Sequence, residues 1–273
     1  MNTKVVIHLI FLPIIVVSSH TAAGECQPLS APFIKQLLSL AEVSANDTIY
    51  FVEPCDVRLT LAAAADFGAL AVGVVADSQA MRKGIDIART FIIGDRVRYI
   101  HSRQLTSDIS QATVVVFSPL VDLSELPIHS VRPGTRIVSY GRDIEGWEPD
   151  KIEKYEETTM YAWIQPADIR GRWSWKMLGE NIRVGFNQRH QKIGAEFTDM
   201  KLSLAKATIT LVGRKLTIVI SGEGVTSFTC IGTVRKNTII GFAVSGTGKR
   251  FPWRAKRIES RDASNLLTDD TQR

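Results

Sequence analysis

The chain has 273 residues, 45% of them hydrophobic, with a formal net charge of +5 at pH 7 and three cysteines. This composition indicates a globular protein with a sizeable core, and the length permits one large domain or two small ones. Cys26, Cys55 and Cys230 are too few for a disulfide scaffold and too scattered for a zinc site. One disulfide with a leftover thiol is compatible with an oxidising compartment. The sequence leaves open which two cysteines would pair.

The N-terminal segment has the pattern of a secretory signal peptide. Lys4 supplies a basic start, residues 5–17 form a largely apolar run, and Thr21-Ala22-Ala23 is a small-residue cleavage site before Gly24. The run is shorter than the roughly 20 residues that a membrane-spanning helix needs. We therefore predict a signal peptide over 1–23 and a periplasmic or secreted protein. An uncleaved anchor and a misassigned start codon are the alternatives.

The charge is distributed unevenly along the rest of the chain. Residues 24–170 carry 14 basic and 20 acidic side chains, a net charge of −6, whereas residues 171–257 carry 16 basic and 4 acidic side chains, a net charge of +12. Opposite charges of this size suggest two domains with different partners. We predict an α/β domain over 24–170, a basic β-rich domain over 171–259 and a polar tail over 260–273.

Strands and helices alternate through the first of these domains. Apolar residues recur at helical spacing in some segments, and β-branched runs such as ATVVVF form others. The alternation predicts a Rossmann-like, doubly wound and mostly parallel sheet. The predicted strands are 48–52, 70–75, 97–101, 112–117 and 135–140, and the predicted helices are 31–43, 57–67, 78–91 with Ser78 as N-cap, and a weak one at 123–131.

The pattern changes after residue 140. A loop and a charged stretch to residue 157 precede a predicted strand at 158–165, and no helical periodicity follows residue 182. Closely spaced β-rich segments separated by short turns predict an antiparallel meander closed into a small barrel or a sandwich. Four tryptophans lie around this second domain, and we expect them to fill its core and the domain junction: Trp163, Trp173, Trp175 and Trp253.

The turn after the first strand is the most informative short segment. Nucleotide-binding α/β folds place glycines there, because the backbone must bend sharply and approach the ligand closely. Here the turn reads Glu53-Pro54-Cys55-Asp56-Val57. The strands and helices expected around this turn are present in the sequence, whereas the glycines expected in the ligand-binding loop are replaced by other residues.

The order of segments from 31 to 171 resembles the class I S-adenosylmethionine-dependent methyltransferases, and in particular small bacterial ones with a signal peptide. The resemblance lies in LLSLAEV, DTIYFVEPCDVRLTLAAAADFGALAVGVVAD, DRVRYIHSRQL, ATVVVFSPL and PGTRIVSYGRDIEGWEPD. It implies the Rossmann-like fold and S-adenosylmethionine as cofactor. We predict no metal, because the sequence has no histidine pairs at metal-ligand spacing.

The family's first loop reads approximately D-L-G-C-G-D-G-R. Laid on this chain, Phe51 stands at the acidic position and Asp56 and Arg58 match the pattern. The three glycine positions are occupied by Glu53, Cys55 and Val57, and Val57 is at a position where a positive φ is expected.

The remaining family positions follow the next three strands. The acidic residue that holds the ribose hydroxyls falls on Val75, with Asp77 two residues later, and Arg103 lies where an acidic residue near the adenine is frequent. Ser118 and Pro119 fall on the acceptor-substrate side. The resemblance thus implies a cofactor site formed by Glu53, Cys55, Asp56, Val57, Asp77 and Arg103, a substrate side at Ser118 and Pro119, and no assigned catalytic residue.

Two features have an alternative interpretation. Glu53, Asp56 and Asp77 could cluster at the carboxyl ends of the strands and bind a cation or transfer protons, or they could be solvated loop charges, which we favour. The polar insert 187–194 resembles a Gln-rich hairpin of the same family group, and an ordinary β-hairpin turn is the favoured alternative.

The basic domain predicts an anionic partner. Lipid head groups or polysaccharides fit an envelope location, whereas nucleic acid fits the charge but not the compartment. A basic domain whose charge only balances that of the acidic domain is the simpler alternative.

Taken together, the signal peptide and the altered cofactor loop predict an exported methyltransferase-like protein with weak or lost donor binding, a pseudoenzyme. The alternative is a non-catalytic envelope protein that binds an anionic partner. The sequence does not indicate an oligomeric state.

Overall fold

The computed structural model describes residues 28–54, 56–91, 93–121, 127–177, 180–198, 206–222 and 225–258. The predicted signal peptide, the predicted tail, Cys26 and Cys55 lie outside these ranges. The described chain forms two sheets, one from residues 48–164 and the other from residues 171–257. Among the described residues, no helix is long and apolar enough to cross a membrane.

The first sheet has seven strands in the order β3-β2-β1-β4-β5-β7-β6. The first five strands are parallel, and β7 runs antiparallel to β5 and β6. The Rossmann-like, mostly parallel sheet is therefore confirmed, while β6 lies in the charged stretch for which no strand was predicted. The strands are Thr48–Val52 (β1), Leu70–Val75 (β2), Val97–His101 (β3), Val114–Phe117 (β4), Arg136–Tyr140 (β5), Lys151–Tyr155 (β6) and Thr158–Ile164 (β7).

Three helices pack on one face of this sheet: Ala31–Leu40 (α1), Arg58–Phe67 (α2) and Ser78–Arg89 (α3). The other face is covered by the short helix Leu105–Asp108 (α4), by single 3-10 turns and by Trp147. The predicted helix at 123–131 is not observed over its described part, because residues 128–130 form one 3-10 turn. The prediction of Ser78 as N-cap was wrong by one residue: the side chain of Asp77 accepts the first amides of α3.

Two glycines allow the close packing of α2, α3 and the sheet. Tyr99 on β3 lies between Gly73 of β2 and Gly84 of α3, where added Cβ atoms would stand 2.3 Å and 2.6 Å from its ring. The tyrosine hydroxyl reaches the hydroxyl of Thr60 on α2 at 2.6 Å. Any larger residue at either glycine would displace the ring and separate the helices from the sheet.

The second sheet is antiparallel and has the strand order β10-β9-β8-β15-β14-β13-β12-β11. Its two edge strands lie side by side without a hydrogen-bonded ladder, so the sheet is a nearly closed barrel. Trp173, Trp175 and Trp253 are buried inside it, as expected. The strands are Gly171–Met177 (β8), Glu180–Arg189 (β9), Lys192–Phe197 (β10), Lys206–Val212 (β11), Lys215–Gly222 (β12), Val225–Arg235 (β13), Thr238–Ser245 (β14) and Arg250–Arg257 (β15).

The barrel contacts the first sheet through one of its ends. The amide of Ala167 donates to the carbonyl of Gly213 in the β11–β12 turn, and Arg214 donates to the carbonyl of Pro133. The β9–β10 turn contacts the loop between β5 and β6, where the indole of Trp147 donates to Gln191 at 2.7 Å. The sides of the barrel do not take part in these contacts.

Candidate functional site

The strand order reverses between β1 and β4, which are neighbours in the sheet although β2 and β3 come between them in the chain. Open α/β sheets bind ligands at the carboxyl ends of the strands at such a point. The turn that starts at Glu53 follows β1, and the segment that starts at Ser118 follows β4. The two groups of residues that the sequence singled out therefore lie at one edge of the sheet.

Glu53 begins the rebuilt turn in a left-handed conformation, with φ of 46°. Its amide donates to the carbonyl of Val74 at 2.8 Å, and its half-buried carboxylate accepts from the amide of Ala76. Burial raises the pKa of Glu53, and the hydrogen bond from Ala76 opposes that rise. The turn thus places a glutamate where the backbone conformation favours glycine, and the side chain extends towards the end of β2.

Asp56 is engaged by its own neighbours. Its carboxylate accepts from the amide of Arg58 at 2.9 Å, from the Arg58 guanidinium and from the amide of Leu29 at 3.1 Å. Burial alone would raise the pKa of Asp56, but these hydrogen bonds outweigh it and hold the pKa below its usual value. The residue that matches the family loop therefore fastens the start of α1 to the start of α2.

Val57 does not have the positive φ that its place in the loop suggested. Its φ is −57°, in the right-handed helical region, and it forms the N-cap of α2 without a side-chain hydrogen bond. The positive φ occurs four residues earlier, at Glu53. The residue at the third glycine position of the family loop therefore begins a regular helix, and the left-handed bend of the chain lies at Glu53.

The end of β2 presents no carboxylate at the expected position. Val75 is buried, and Asp77 is exposed and caps α3 through the amides of Gln79 and Ala80. These two hydrogen bonds lower the pKa of Asp77. Asp77 is close enough to Glu53 to raise the pKa of that carboxyl, whereas Asp56 is turned towards Arg58. No group of three potential metal ligands occurs among the described residues.

Arg103 lies in a short 3-10 helix after β3. Its amide donates to Nδ1 of His101 at 3.2 Å, and its side chain is exposed. An electrostatic interaction with His101 lowers the pKa of Glu53, so the ends of β1, β2 and β3 lie close together. The structure does not bring the guanidinium of Arg103 into a described contact with the turn after β1.

The segment after β4 contains a buried hydroxyl without a partner. Ser118 is 2% exposed, and its Oγ has no hydrogen-bond partner among the described residues. Pro119 lies against Gly141, the residue that follows β5, where an added Cβ would stand 3.3 Å from the proline ring. Among the described residues, the hydroxyl of Tyr140 at the end of β5 is also buried and has no hydrogen-bond partner. Sequence reasoning missed Tyr140, although its place at a strand end was a usable signal.

A cleft of about 370 Å³ lies between the loop 143–149 and the turn 189–192. The insert 187–194 is an ordinary two-residue hairpin, as favoured, and it docks on that loop. The rings of His190 and Trp147 stack with centroids 4.5 Å apart, and Lys192 pairs with Glu148 at 2.7 Å. The side chains around this cleft hold the barrel against the first sheet.

The strand order and the turns at the carboxyl ends of the strands define a Rossmann-like α/β protein. A protein-lysine N-methyltransferase from Saccharolobus islandicus (strain REY15A) is 31% identical over 139 residues, which are 49% of this chain and 86% of that relative. The chain therefore belongs to the class I S-adenosylmethionine-dependent methyltransferase-like family. No family model matches the sequence.

Solved structures also resemble part of the chain. An RNA methyltransferase from Salinibacter ruber in complex with S-adenosyl-L-homocysteine is 30% identical, with a TM-score of 0.48 over 52% of this chain and 96% of its own. A geranyl diphosphate C-methyltransferase from Streptomyces coelicolor A3(2) is 21% identical, with a TM-score of 0.35 over 39% of this chain and 42% of its own.

Proposed function

We propose that this protein is an exported member of the methyltransferase-like family in which binding of S-adenosylmethionine is weak or lost. The observation that carries the proposal is the turn after β1. Glu53 occupies the left-handed position, and Asp56 is bound by Arg58 and Leu29. Both side chains are therefore occupied within the chain at the edge where the family holds its donor.

The methyl donor carries a ribose, a carboxylate and an ammonium group. Its pocket needs close approach of backbone amides at glycines and a carboxylate for the ribose hydroxyls. Glu53 adds negative charge where the donor carboxylate would lie, and Val75 offers no acceptor from its side chain. The residues present do not fit the donor, so we assign no catalytic step to them. Methyl transfer needs mainly in-line positioning, and an acceptor would lie near Ser118 and Pro119 if the donor did bind.

Calorimetric titration of the protein with S-adenosylmethionine and with S-adenosyl-L-homocysteine tests this proposal. We expect neither heat nor thermal stabilisation at millimolar ligand. A class I methyltransferase with an intact glycine loop, titrated under the same conditions, is the control. Binding at micromolar strength, about −8 kcal/mol, would overturn the proposal and direct the search to an acceptor substrate.

The export part of the proposal is supported by Lys4, the apolar run 5–17 and the Thr21-Ala22-Ala23 site. Expression in a Gram-negative host followed by fractionation and N-terminal sequencing tests it. We expect a periplasmic or secreted product that begins at Gly24. A cytoplasmic product that retains residues 1–23 would contradict export.

A second candidate function is binding of an anionic envelope component by the barrel. Lys192 is the basic side chain of the described barrel that forms an ion pair, and its partner is Glu148 in the loop between β5 and β6. The other described basic side chains are mostly exposed, which gives the barrel a field that attracts anions. Binding of the full chain to a sulfated polysaccharide, measured against salt concentration, tests this candidate. Affinity that falls steeply with salt supports it, and the absence of binding at low salt argues against it.

A further inference from the structure

The side chains that point outwards from β12, β13, β14 and β15 form four rows across the barrel. We name this surface the outer barrel face. Each row is defined by the strand register, and the intervening residues are buried in the barrel core. The rows are Val219-Thr229-Val244-Arg250, Thr217-Ile231-Phe242-Pro252, Lys215-Thr233-Ile240-Arg254 and Arg235-Thr238-Lys256.

The centre of the outer barrel face is uncharged and partly apolar. Ile240 is 43% exposed and Val219 is 38% exposed, and Ile231, Phe242 and Val244 between them are partly exposed. Apolar side chains that are contiguous on a surface mark an interaction site more often than single ones do. The centre of this face therefore favours a partner with apolar groups.

The rim of the same face is basic. Arg250, Arg254 and Lys256 lie in line along β15, and Lys215 and Arg235 stand at the other ends of two rows. All five side chains are exposed, and the four rows contain no acidic residue. The rim therefore favours an anionic partner.

The guanidinium of Arg250 lies 3.5 Å from the ring centroid of Phe242. Proteins that bind single-stranded nucleic acid use open aromatic faces on which bases stack. Here the arginine covers one face of the ring. The branched aliphatic side chains around the ring cannot form hydrogen bonds or ion pairs with a phosphate backbone. These contacts favour a partner that combines negative charge with hydrocarbon over a nucleic acid.

The first sheet leaves the outer barrel face open. The described contacts between the two parts of the chain lie at the barrel end, at Gly213, Arg214 and Gln191. The row Val219-Thr229-Val244-Arg250 is the one furthest from that end. A broad, flat partner can therefore approach the barrel from its side without meeting the α/β part.

We propose that the outer barrel face binds the surface of an anionic lipid bilayer. The cationic rim contacts lipid phosphates, and Ile240, Val219 and Phe242 enter the boundary between head groups and acyl chains. This inference rests on the second candidate function, because it names the partner and the surface. It is independent of whether the methyl donor binds.

Vesicle flotation of the full chain tests the inference. The probes are phosphatidylcholine vesicles and vesicles of phosphatidylcholine mixed with phosphatidylglycerol. We expect the protein to partition onto the mixed vesicles. The variant with Arg254→Gln and Lys256→Gln should partition about thirty-fold less at low salt. The matched control is Arg82→Gln with Lys83→Gln on α3, which removes the same number of positive charges from the α/β part. This control should partition as the unchanged protein does. The apolar run 5–17 is common to all variants, so their differences report on the face.

A second variant separates the apolar contribution from the charge. Ile240→Thr keeps a β-branched residue on β14 and should reduce partition roughly fivefold, with a deficit that persists at high salt. The deficit of the charge variant should disappear there. Thermal melts establish that each variant is folded.

Four results would overturn the inference. Equal partition of the Arg254→Gln, Lys256→Gln variant and of the α3 control would show that the outer barrel face does not bind the vesicles. Binding to a sulfated polysaccharide without partition onto vesicles would exclude the lipid surface but leave the second candidate function intact. If the protein bound neither the polysaccharide nor the vesicles, both this inference and the second candidate function would be refuted. Self-association that Ile240→Thr abolishes would show that a second copy of the chain occupies the face.

Discussion

The guanidinium of Arg58 pairs with the carboxylate of Asp56, two residues before it, with Nε 3.0 Å from both carboxylate oxygens. The same guanidinium donates to the carbonyl of Leu29, whose amide donates back to Asp56. The turn after β1 is therefore fastened to the segment before α1. In this chain Asp56, the acidic residue that matches the family loop, binds Arg58 and Leu29 of the chain itself and not a ligand.

This arrangement predicts a large cost for removing the carboxylate. Asp56→Ala leaves the amides of Leu29 and Arg58 without their acceptor, and we expect it to lower the free energy of unfolding by about 2 to 3 kcal/mol. Urea unfolding at pH 7 measures the change. Asp86→Ala, which removes an exposed partner of Arg89 3.6 Å away, is the matched control and should cost less than about 0.5 kcal/mol. Similar losses in both variants would show that the Asp56 network does not stabilise the fold.

A partial return to the family loop should not restore donor binding. The variant with Val57→Gly and Val75→Asp leaves Glu53 and Cys55 in place, and Val57 already has a helical φ, so glycine there adds no needed freedom. We expect no heat on calorimetric titration with S-adenosylmethionine. The buried position of Val75 should also lower the free energy of unfolding by about 1 to 3 kcal/mol. Tight donor binding by this variant would refute our account of the loop.

Asp47 gives the stability a dependence on pH. It is 5% exposed and accepts from the amide and hydroxyl of Ser44, from the hydroxyl of Thr113 and from Arg136. Burial raises its pKa, but these hydrogen bonds and the Arg136 charge hold the pKa below its usual value. A lowered pKa means that the stabilisation is present above the unfolded-state pKa and is lost as the pH falls through the folded-state pKa.

We therefore expect Asp47→Asn to destabilise the protein by about 2 to 3 kcal/mol at pH 7 and by progressively less as the pH falls below about 4. Urea unfolding across that range measures the difference. The control is Glu42→Gln, which removes an exposed ion pair with Lys151 and should cost less than about 1 kcal/mol. A loss from Asp47→Asn that is the same at pH 7 and in acid would contradict the assignment of its charge.

Trp147 holds the barrel against the first sheet through the stacked ring of His190 and the hydrogen bond to Gln191. Trp147→Leu removes both contacts. We expect faster tryptic cleavage after Arg170, in the link between the sheets, by about tenfold, because opening of the junction requires roughly 1.4 kcal/mol less. Phe91→Leu, which changes an exposed aromatic residue of the first part, should leave the cleavage rate unchanged. Unchanged cleavage of Trp147→Leu would show that the junction is held elsewhere.

Local patterns in the sequence predicted most strands because each pattern depends on residues close together in the chain. The parallel strands carry continuous apolar runs, since helices or loops cover both faces of the sheet. The strand β6 was missed because its side chains are mostly exposed and its sequence, KIEKY, shows no apolar face. It is a strand because β7 offers it an antiparallel partner across a two-residue turn.

The candidate site could be located from the sequence but not described. Order and spacing were enough to place Glu53, Asp56 and Ser118 at strand ends. Their contacts depend on residues far away in the chain: Asp56 binds Leu29, 27 residues earlier, and Trp147 binds Gln191, 44 residues later. No local pattern encodes such pairs, so neither the engaged carboxylate nor the docked hairpin was predictable.

The sequence by itself determined the mostly parallel α/β sheet, the antiparallel β-rich region after it and the opposite charges of the two regions, because periodicity and composition are local properties. Only the tertiary structure decided that Glu53, not Val57, takes the left-handed conformation, since the whole path from β1 to α2 sets that angle. It also decided which cations and apolar residues share the outer barrel face. Strand register assembles that face from four separate segments, and register is set by hydrogen bonding between strands and by burial of the core.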